Sequence, residues 1–250
     1  MEPHHPDIFE FLDLKKNFGE ENMRARDLFM ALWISDLFMK QVEQDEDWYL
    51  LSADECPDLN EVYGEQYEQL YWKYVNEGKY RKKVKARQLF HSIMESQIET
   101  GMPYICFKDA INAKCNQKNL GTIKSSNLCS EIILPTNEER TAVCCLSSLN
   151  LENYDEWKND KMFLKDVAEM LDNVLEYFIS NAPDSIQRAK YSASRERSIG
   201  IGALGFHAYL QRNGIAFEGV MAKVANNRIF STLRKGLDDA NKQLGLERGE

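Results

Sequence analysis

The 250-residue sequence has few cysteines, and none are spaced as the paired ligands of a structural zinc site. There are six, and no two are spaced Cys-x-x-Cys. That is too few for a disulfide scaffold of this size, so Cys56, Cys106, Cys115, Cys129, Cys144 and Cys145 read as reduced thiols, some with a chemical role. A zinc site built from Cys115, Cys129 and Cys144 would need long, irregular ligand spacings, against the usual pattern of structural zinc. No apolar run reaches the length of about 18 residues that a membrane helix needs, so a membrane is not an expected partner. The opening Met1-Glu-Pro-His-His5-Pro has no basic stretch followed by an apolar one, so no secretory leader is expected and the expected location is cytoplasmic. Positive charge is in deficit, with 31 Lys and Arg against 40 Asp and Glu and a net charge of −9. Affinity for a phosphate backbone comes from neutralising cations, so nucleic acid is not an expected partner, whereas a nucleotide in a local pocket remains compatible. Pro/Gly/Ser linkers, internal repeats and low-complexity tracts are missing too, which points to one large domain or part of one.

What is present is an ordinary globular balance, 43% apolar and 28% charged. Leu28, Leu32, Ile34, Leu37, Phe38 and Val42 recur at roughly helical spacing and predict a helix within 20–44. Pro57 and Gly64 bracket a polar loop. Helices are expected over about 66–77 and from about Val84 to Thr100, where Gly101 is a natural stop. Tyr67, Tyr71, Trp72 and Tyr74 read as the buried face of the first of these two, and the basic run Lys79 to Lys85 as a solvated turn and helix start. Pro103 to Phe107 suits a buried strand, 112–122 reads as a loop, and Asn127 to Leu134 and Thr141 to Leu146 read as extended segments. Helices are expected over about 161–180, 203–212 and 220–244. Short buried strands between long helices make an α/β pattern.

The chemistry concentrates in Ser125-Ser-Asn127-Leu-Cys129-Ser-Glu131. In an extended segment side chains alternate, so Asn127, Cys129 and Glu131 would share one face, each roughly 6.5 Å from the next. An amide can hydrogen-bond a hydroxyl, a carboxylate can take its proton, and a thiol can exchange a proton or a hydrogen atom. By spacing alone a strand edge with two solvated polar groups and a small core cysteine is the favoured reading, because the triplet pattern is common. In Ala142-Val-Cys144-Cys145-Leu-Ser, only one of the adjacent cysteines can face the same way as Cys129. Two core cysteines or a vicinal disulfide are the plainer readings. The run Gly200-Ile-Gly202-Ala-Leu-Gly205 follows a basic segment rather than a strand, so it is a weak dinucleotide signal. Close packing where a helix begins is its simpler role. His4 and His5, between Pro3 and Pro6, could ligate a metal but read more simply as exposed residues without a specific task, and His91 and His207 as packing or surface residues.

At these residues the chain resembles the large, catalytic subunit of class I ribonucleotide reductases. The resemblance runs through Glu2-Pro-His-His5-Pro-Asp-Ile-Phe-Glu-Phe-Leu-Asp-Leu-Lys-Lys16-Asn, Arg24-Ala-Arg-Asp-Leu-Phe29, Ala31-Leu-Trp33, Glu95-Ser-Gln97, Asn119-Leu-Gly-Thr122-Ile-Lys and Ile199-Gly-Ile-Gly202, in the family's order. Its most specific part is Ser126-Asn-Leu-Cys129-Ser-Glu131, which is similar to the family's active-site finger loop. The resemblance implies that Cys129 becomes a thiyl radical that takes the 3′ hydrogen of the ribose. It implies that Glu131 accepts the 3′-hydroxyl proton and that Asn127 hydrogen-bonds the substrate. Cys144 then corresponds to one of the two thiols that reduce the sugar by forming a disulfide, with Cys145 as the alternative. The partner of that thiol lies, in the family, before residue 1, and His4 stands where the family often has an aromatic residue.

The implied fold is α/β, helix-rich and part of a ten-stranded barrel. Residues 1–250 would form the incomplete central part of a single catalytic barrel domain, with the finger loop around 119–134. The implied activity converts ribonucleoside diphosphates to 2′-deoxyribonucleoside diphosphates. The implied helpers are a metal-containing small subunit that supplies the radical, electron donors of the thioredoxin or glutaredoxin type, and chains supplying the missing N- and C-terminal segments. No cofactor or metal is expected on this chain itself. A non-catalytic fragment or interaction protein that keeps the pattern is the alternative, and a zinc-stabilised helical module is a third.

Overall fold

The computed structural model describes residues 1–249, which fall into two compact units, Met1–Asn137 and a second beginning at Glu138. In the first unit the chain enters through helix α1 (Ile8–Asp13), which buries Ile8 and Leu12 one turn apart. The helix expected within 20–44 is only half there. A short 3-10 turn at Glu21–Met23 is followed by strand β1 (Ala31–Ile34), and helix α2 covers Asp36–Gln44. The reason lies in burial and capping. Met30, Leu32, Trp33 and Ile34 are all buried, as in a strand covered on both faces, while Leu28 and Phe29 are exposed. Ser35 then starts a new helix by accepting the Phe38 N–H at 3.3 Å.

Strand β2 (Asp47–Leu50) precedes helix α3 (Gly64–Asn76), which buries Tyr67, Tyr71 and Tyr74 as the spacing predicted. Tyr71 stacks on Trp48 with ring centroids 4.5 Å apart and ties its hydroxyl to both backbone groups of Tyr49. The basic run is not a turn and helix start. Lys82–Lys85 is strand β3, antiparallel to β2, with Trp48 opposite Val84. Its lysines stay in solvent, where Lys83 and Lys85 flank Asp47 at 2.6 and 3.2 Å. The backbone ladder, not side-chain burial, makes this strand. Helix α4 (Ala86–Thr100) stops at Gly101, which adopts a positive φ of 74°. Strand β4 (Tyr104–Phe107) pairs in parallel with β1, from Ala31 opposite Tyr104 to Ile34 opposite Phe107. Helix α5 (Lys108–Lys114) follows at once and replaces the start of the expected loop at 112–122. The unit's main core is aromatic and aliphatic, built on Phe38, Trp48, Tyr67, Tyr71, Leu89 and Ile93.

The second unit contains strand β5 (Cys145–Asn150), the single turn α6 (Tyr154–Trp157), and helices α7 (Phe163–Asn181) and α8 (Gln187–Glu196). Strand β6 (Ile199–Leu204) and helices α9 (Phe206–Arg212) and α10 (Val220–Arg248) complete it. The extended segment expected at Thr141 to Leu146 begins later, at Cys145, where pairing with β6 starts. The glycine run does not open a helix; Gly200 and Gly202 lie within β6, parallel to β5. Close approach is still its reason, because a Cβ on Gly200 would meet the Leu146 side chain at 2.6 Å. Gly205, at φ 75°, makes the bend into α9. Arg197 clamps α7, with its Nε 2.8 Å from Asp172 and an Nη 2.7 Å from Glu176, and Arg248 reaches the other Asp172 oxygen.

Each unit therefore carries a parallel strand pair joined by helices, the α/β arrangement expected. Among the described residues the six strands form three two-stranded sheets, and no barrel closes.

Candidate active site

Residues 127–131 are not a strand. The chain turns at Leu128–Ser130, the Ser130 N–H donates to the Asn127 carbonyl at 3.1 Å, and Ser130 sits at φ 64°. Strict alternation therefore does not apply to Asn127, Cys129 and Glu131. The cause is local. Asn127 uses its side-chain oxygen to accept the Ile132 N–H at 3.1 Å, while Ser126 Oγ donates to the Ile132 carbonyl at 2.7 Å. Short polar side chains that satisfy nearby backbone groups favour a turn over a ladder.

The turn leaves Asn127, Cys129 and Glu131 exposed within five residues of chain. Neither the Cys129 thiol nor the Glu131 carboxylate has a hydrogen-bond or ion-pair partner among the described residues. An outward thiol, a carboxylate and the amide nitrogen of Asn127 are thus available on one short loop, the groups needed for hydrogen-atom exchange, proton acceptance and hydroxyl recognition.

The loop is anchored at its stems. Asn112, 1% exposed, makes two hydrogen bonds with the backbone of Ile123, accepting its N–H at 2.7 Å and donating to its carbonyl at 3.1 Å. Thr122 Oγ1 donates to the Glu61 carbonyl at 2.6 Å, and Lys124 pairs with the Glu61 carboxylate. Ile123 and Ile133 pack with Trp33, Cys106 and Cys115 in a small separate core. The chain thus returns to the place it left, with the turn between.

Cys144 lies in the other unit, half-buried and one residue before β5. Cys145, the first residue of that strand, is half-buried as well, and burial pushes its thiol pKa above the ordinary value. At neutral pH it is therefore a protonated thiol.

Several buried polar residues escaped the sequence reading. Lys108 is fully buried, with its ammonium 2.9 and 3.1 Å from the two Glu2 oxygens, 2.8 Å from the Leu59 carbonyl and 4.5 Å from the Tyr67 ring centre. Asp109 accepts the backbone N–H groups of Asp36, at 2.5 Å, and of Gly64. His4 is not an exposed residue without a task. It is buried with Nδ1 2.9 Å from the Tyr67 hydroxyl, and burial, with Lys108 and His5 nearby, pushes its pKa down to about 3. His91 and His207 are both at the surface. Lys108, Asp109 and Asn112 are spaced as one helical face, but the same spacing describes a solvated face, so sequence alone had no signal for their burial. Among the described residues no cluster of three or more His, Cys, Asp or Glu is placed to hold a metal, and no helix is long and apolar enough to cross a membrane.

Comparison with known proteins adds the family. The description of the ribonucleotide reductase barrel domain matches residues 1–250. The ribonucleoside-diphosphate reductase large chain of Neurospora crassa is 46% identical over 252 residues, which span 100% of this chain and 27% of that protein. The large subunit of Danio rerio is 45% identical over 251 residues, covering 100% of this chain and 32% of its own length. Among solved structures, the Actinobacillus ureae class Id ribonucleotide reductase alpha subunit superposes with a TM-score of 0.76 at 31% identity, covering 100% of this chain and 41% of that one. The chain thus spans roughly a third or less of the length of these curated relatives.

Proposed function

The chain belongs to the ribonucleotide reductase barrel-domain family, and from that premise we propose that it supplies the radical-bearing loop of a ribonucleoside-diphosphate reductase. One observation carries the reading: the exposed Cys129 sits on a turn between Asn127 and Glu131, inside a loop held firmly at both stems. Cys129, as a thiyl, takes the 3′ hydrogen of the ribose. Its S–H bond is close in strength to the C–H bond it breaks, so the exchange is nearly balanced and reversible. Glu131 accepts the 3′-hydroxyl proton, and the Asn127 Nδ2 hydrogen-bonds the substrate. The 2′-hydroxyl takes a proton from one thiol of the reducing pair and leaves as water. Cys144, with a second thiol from outside residues 1–250, then delivers two electrons as the pair forms a disulfide.

The substrate is a ribonucleoside diphosphate, and the product is the 2′-deoxyribonucleoside diphosphate. The radical comes from a metal-containing small subunit, and a thioredoxin- or glutaredoxin-type donor reduces the disulfide. Residues 1–250 work as the central part of one barrel domain, together with the segments that flank it in the longer relatives, in the cytoplasm. Assay of residues 1–250 together with those flanking segments and the small subunit tests this. Nucleotide reduction is expected with the native chain and absent with Cys129→Ser. Reduction that persists in Cys129→Ser refutes the radical role, and no reduction with any complementing set favours a non-catalytic chain.

A further inference from the structure

Helix α5 carries none of the groups that would meet the substrate, yet one stem of the loop that carries them returns to it and the other to the residue that ends it. The Asn112 amide acts as a surrogate for a strand partner. Its Oδ1 accepts the Ile123 N–H at 2.7 Å, and its Nδ2 donates to the Ile123 carbonyl at 3.1 Å and to the Lys108 carbonyl at 2.9 Å. Ile123 is 1% exposed and belongs to no strand, so these two backbone groups would otherwise be buried without partners. Cys115, the extended residue that ends α5, places its sulfur 4.0 Å from the Ile133 carbonyl. The helix is itself pinned. Lys108 is locked to Glu2 and the Leu59 carbonyl, and Asp109 takes two backbone N–H groups.

We propose that Asn112 is a positioning residue for Cys129, holding the stem at Ile123 so that the turn at 128–130 presents thiol, amide and carboxylate in one fixed arrangement. This rests on the reading of Cys129 as the reacting thiol. The position calls for an asparagine. A donor and an acceptor are needed at this reach; Asp has no donor, Leu has neither, and Gln is a methylene too long. The pinned base transmits rigidity to a turn that has no ladder of its own.

Amide hydrogen exchange on the intact chain tests the proposal. In the unaltered protein the Ile123 amide should exchange as slowly as the central amides of α4; exchange at the intrinsic rate of an unprotected peptide amide would overturn it. This measurement stands even if a variant fails to fold. In Asn112→Ala, exchange at Ile123 and Ile132 should accelerate at least about tenfold, with α4 unchanged. Equal acceleration in α4 would show a general loss of stability and would overturn the positioning role. A nitroxide on Cys129, with Cys144 and Cys145 replaced by Ser, gives a second readout. Its spectrum should sharpen in Asn112→Ala, and an unchanged spectrum contradicts the proposal. None of these measurements uses nucleotide reduction, so their failure is distinct from reduction persisting in Cys129→Ser.

Discussion

The side-chain oxygen of Asn127 accepts the backbone N–H of Ile132 at 3.1 Å, closing the turn that carries Cys129. One residue thereby divides its two polar atoms, with Oδ1 shaping the loop and Nδ2 left to donate outward. Asn127→Asp separates the two tasks, because a carboxylate keeps the acceptor and loses the donor. Exchange at the Ile132 amide should stay slow, while turnover in the complemented enzyme falls roughly tenfold or more. Asn127→Ala should lose both. A measured loss of Ile132 protection in Asn127→Asp would show that the oxygen alone does not hold the turn.

The thiols should react in an order set by exposure and burial. Cys129 is exposed, whereas burial raises the pKa of Cys145 and of Cys56. Only the thiolate attacks an alkylating reagent. Mass mapping after brief iodoacetamide treatment at neutral pH should find Cys129 modified first, with Cys145 and Cys56 lagging. Raising the pH should narrow the gap.

Acid should weaken the first unit through His4. Its folded-state pKa, about 3, lies below the unfolded value, so between pH 6.5 and 3 the unfolded chain binds the extra proton and stability falls as pH falls. From pH 6.5 to 4 the expected loss is roughly 3 kcal/mol by urea titration. Glu2, whose carboxyl burial pushes up against the pull of Lys108, acts in the opposite sense. Comparing the pH slope of the native chain with that of His4→Phe isolates the imidazole; equal slopes would contradict the assignment.

Removing the Lys108 ammonium leaves the Glu2 carboxylate deep in the unit without its counter-charge. Lys108→Met should destabilise the chain by about 3–5 kcal/mol, the usual consequence of breaking one side of a buried pair. Adding Glu2→Gln should restore a large part of that loss. Denaturant midpoints of the single and double variants decide it.

The long periodic elements were legible in the sequence. Tyr67, Tyr71 and Tyr74 marked the buried face of α3, and Gly101 marked the end of α4. Elements decided by distant pairing were not. β1 was hidden because Leu32, Ile34, Leu37 and Phe38 keep a helical spacing across a strand–helix junction that only β4 and the Ser35 cap resolve. β3 was hidden because its lysines point to water and its stability comes from a ladder with β2. At the site, the residue types at 127, 129 and 131 were readable, but their backbone was not. The Asn127 side chain competes with the extended form, and that competition leaves no trace in hydrophobic pattern.

The register of β1 on β4 also bears on how the chain reaches its native state. Ala31 finds its partner in Tyr104, and between them lie three helices of the main core and the whole β2–β3 ladder. Bringing such remote positions together is entropically slow unless the intervening polypeptide has already contracted. During synthesis β1 must therefore wait, unpaired, until α4 and β4 have emerged from the ribosome. The small core beneath the finger loop, which draws on Trp33 and Cys106 from these two strands, is consequently among the last parts of its unit to assemble.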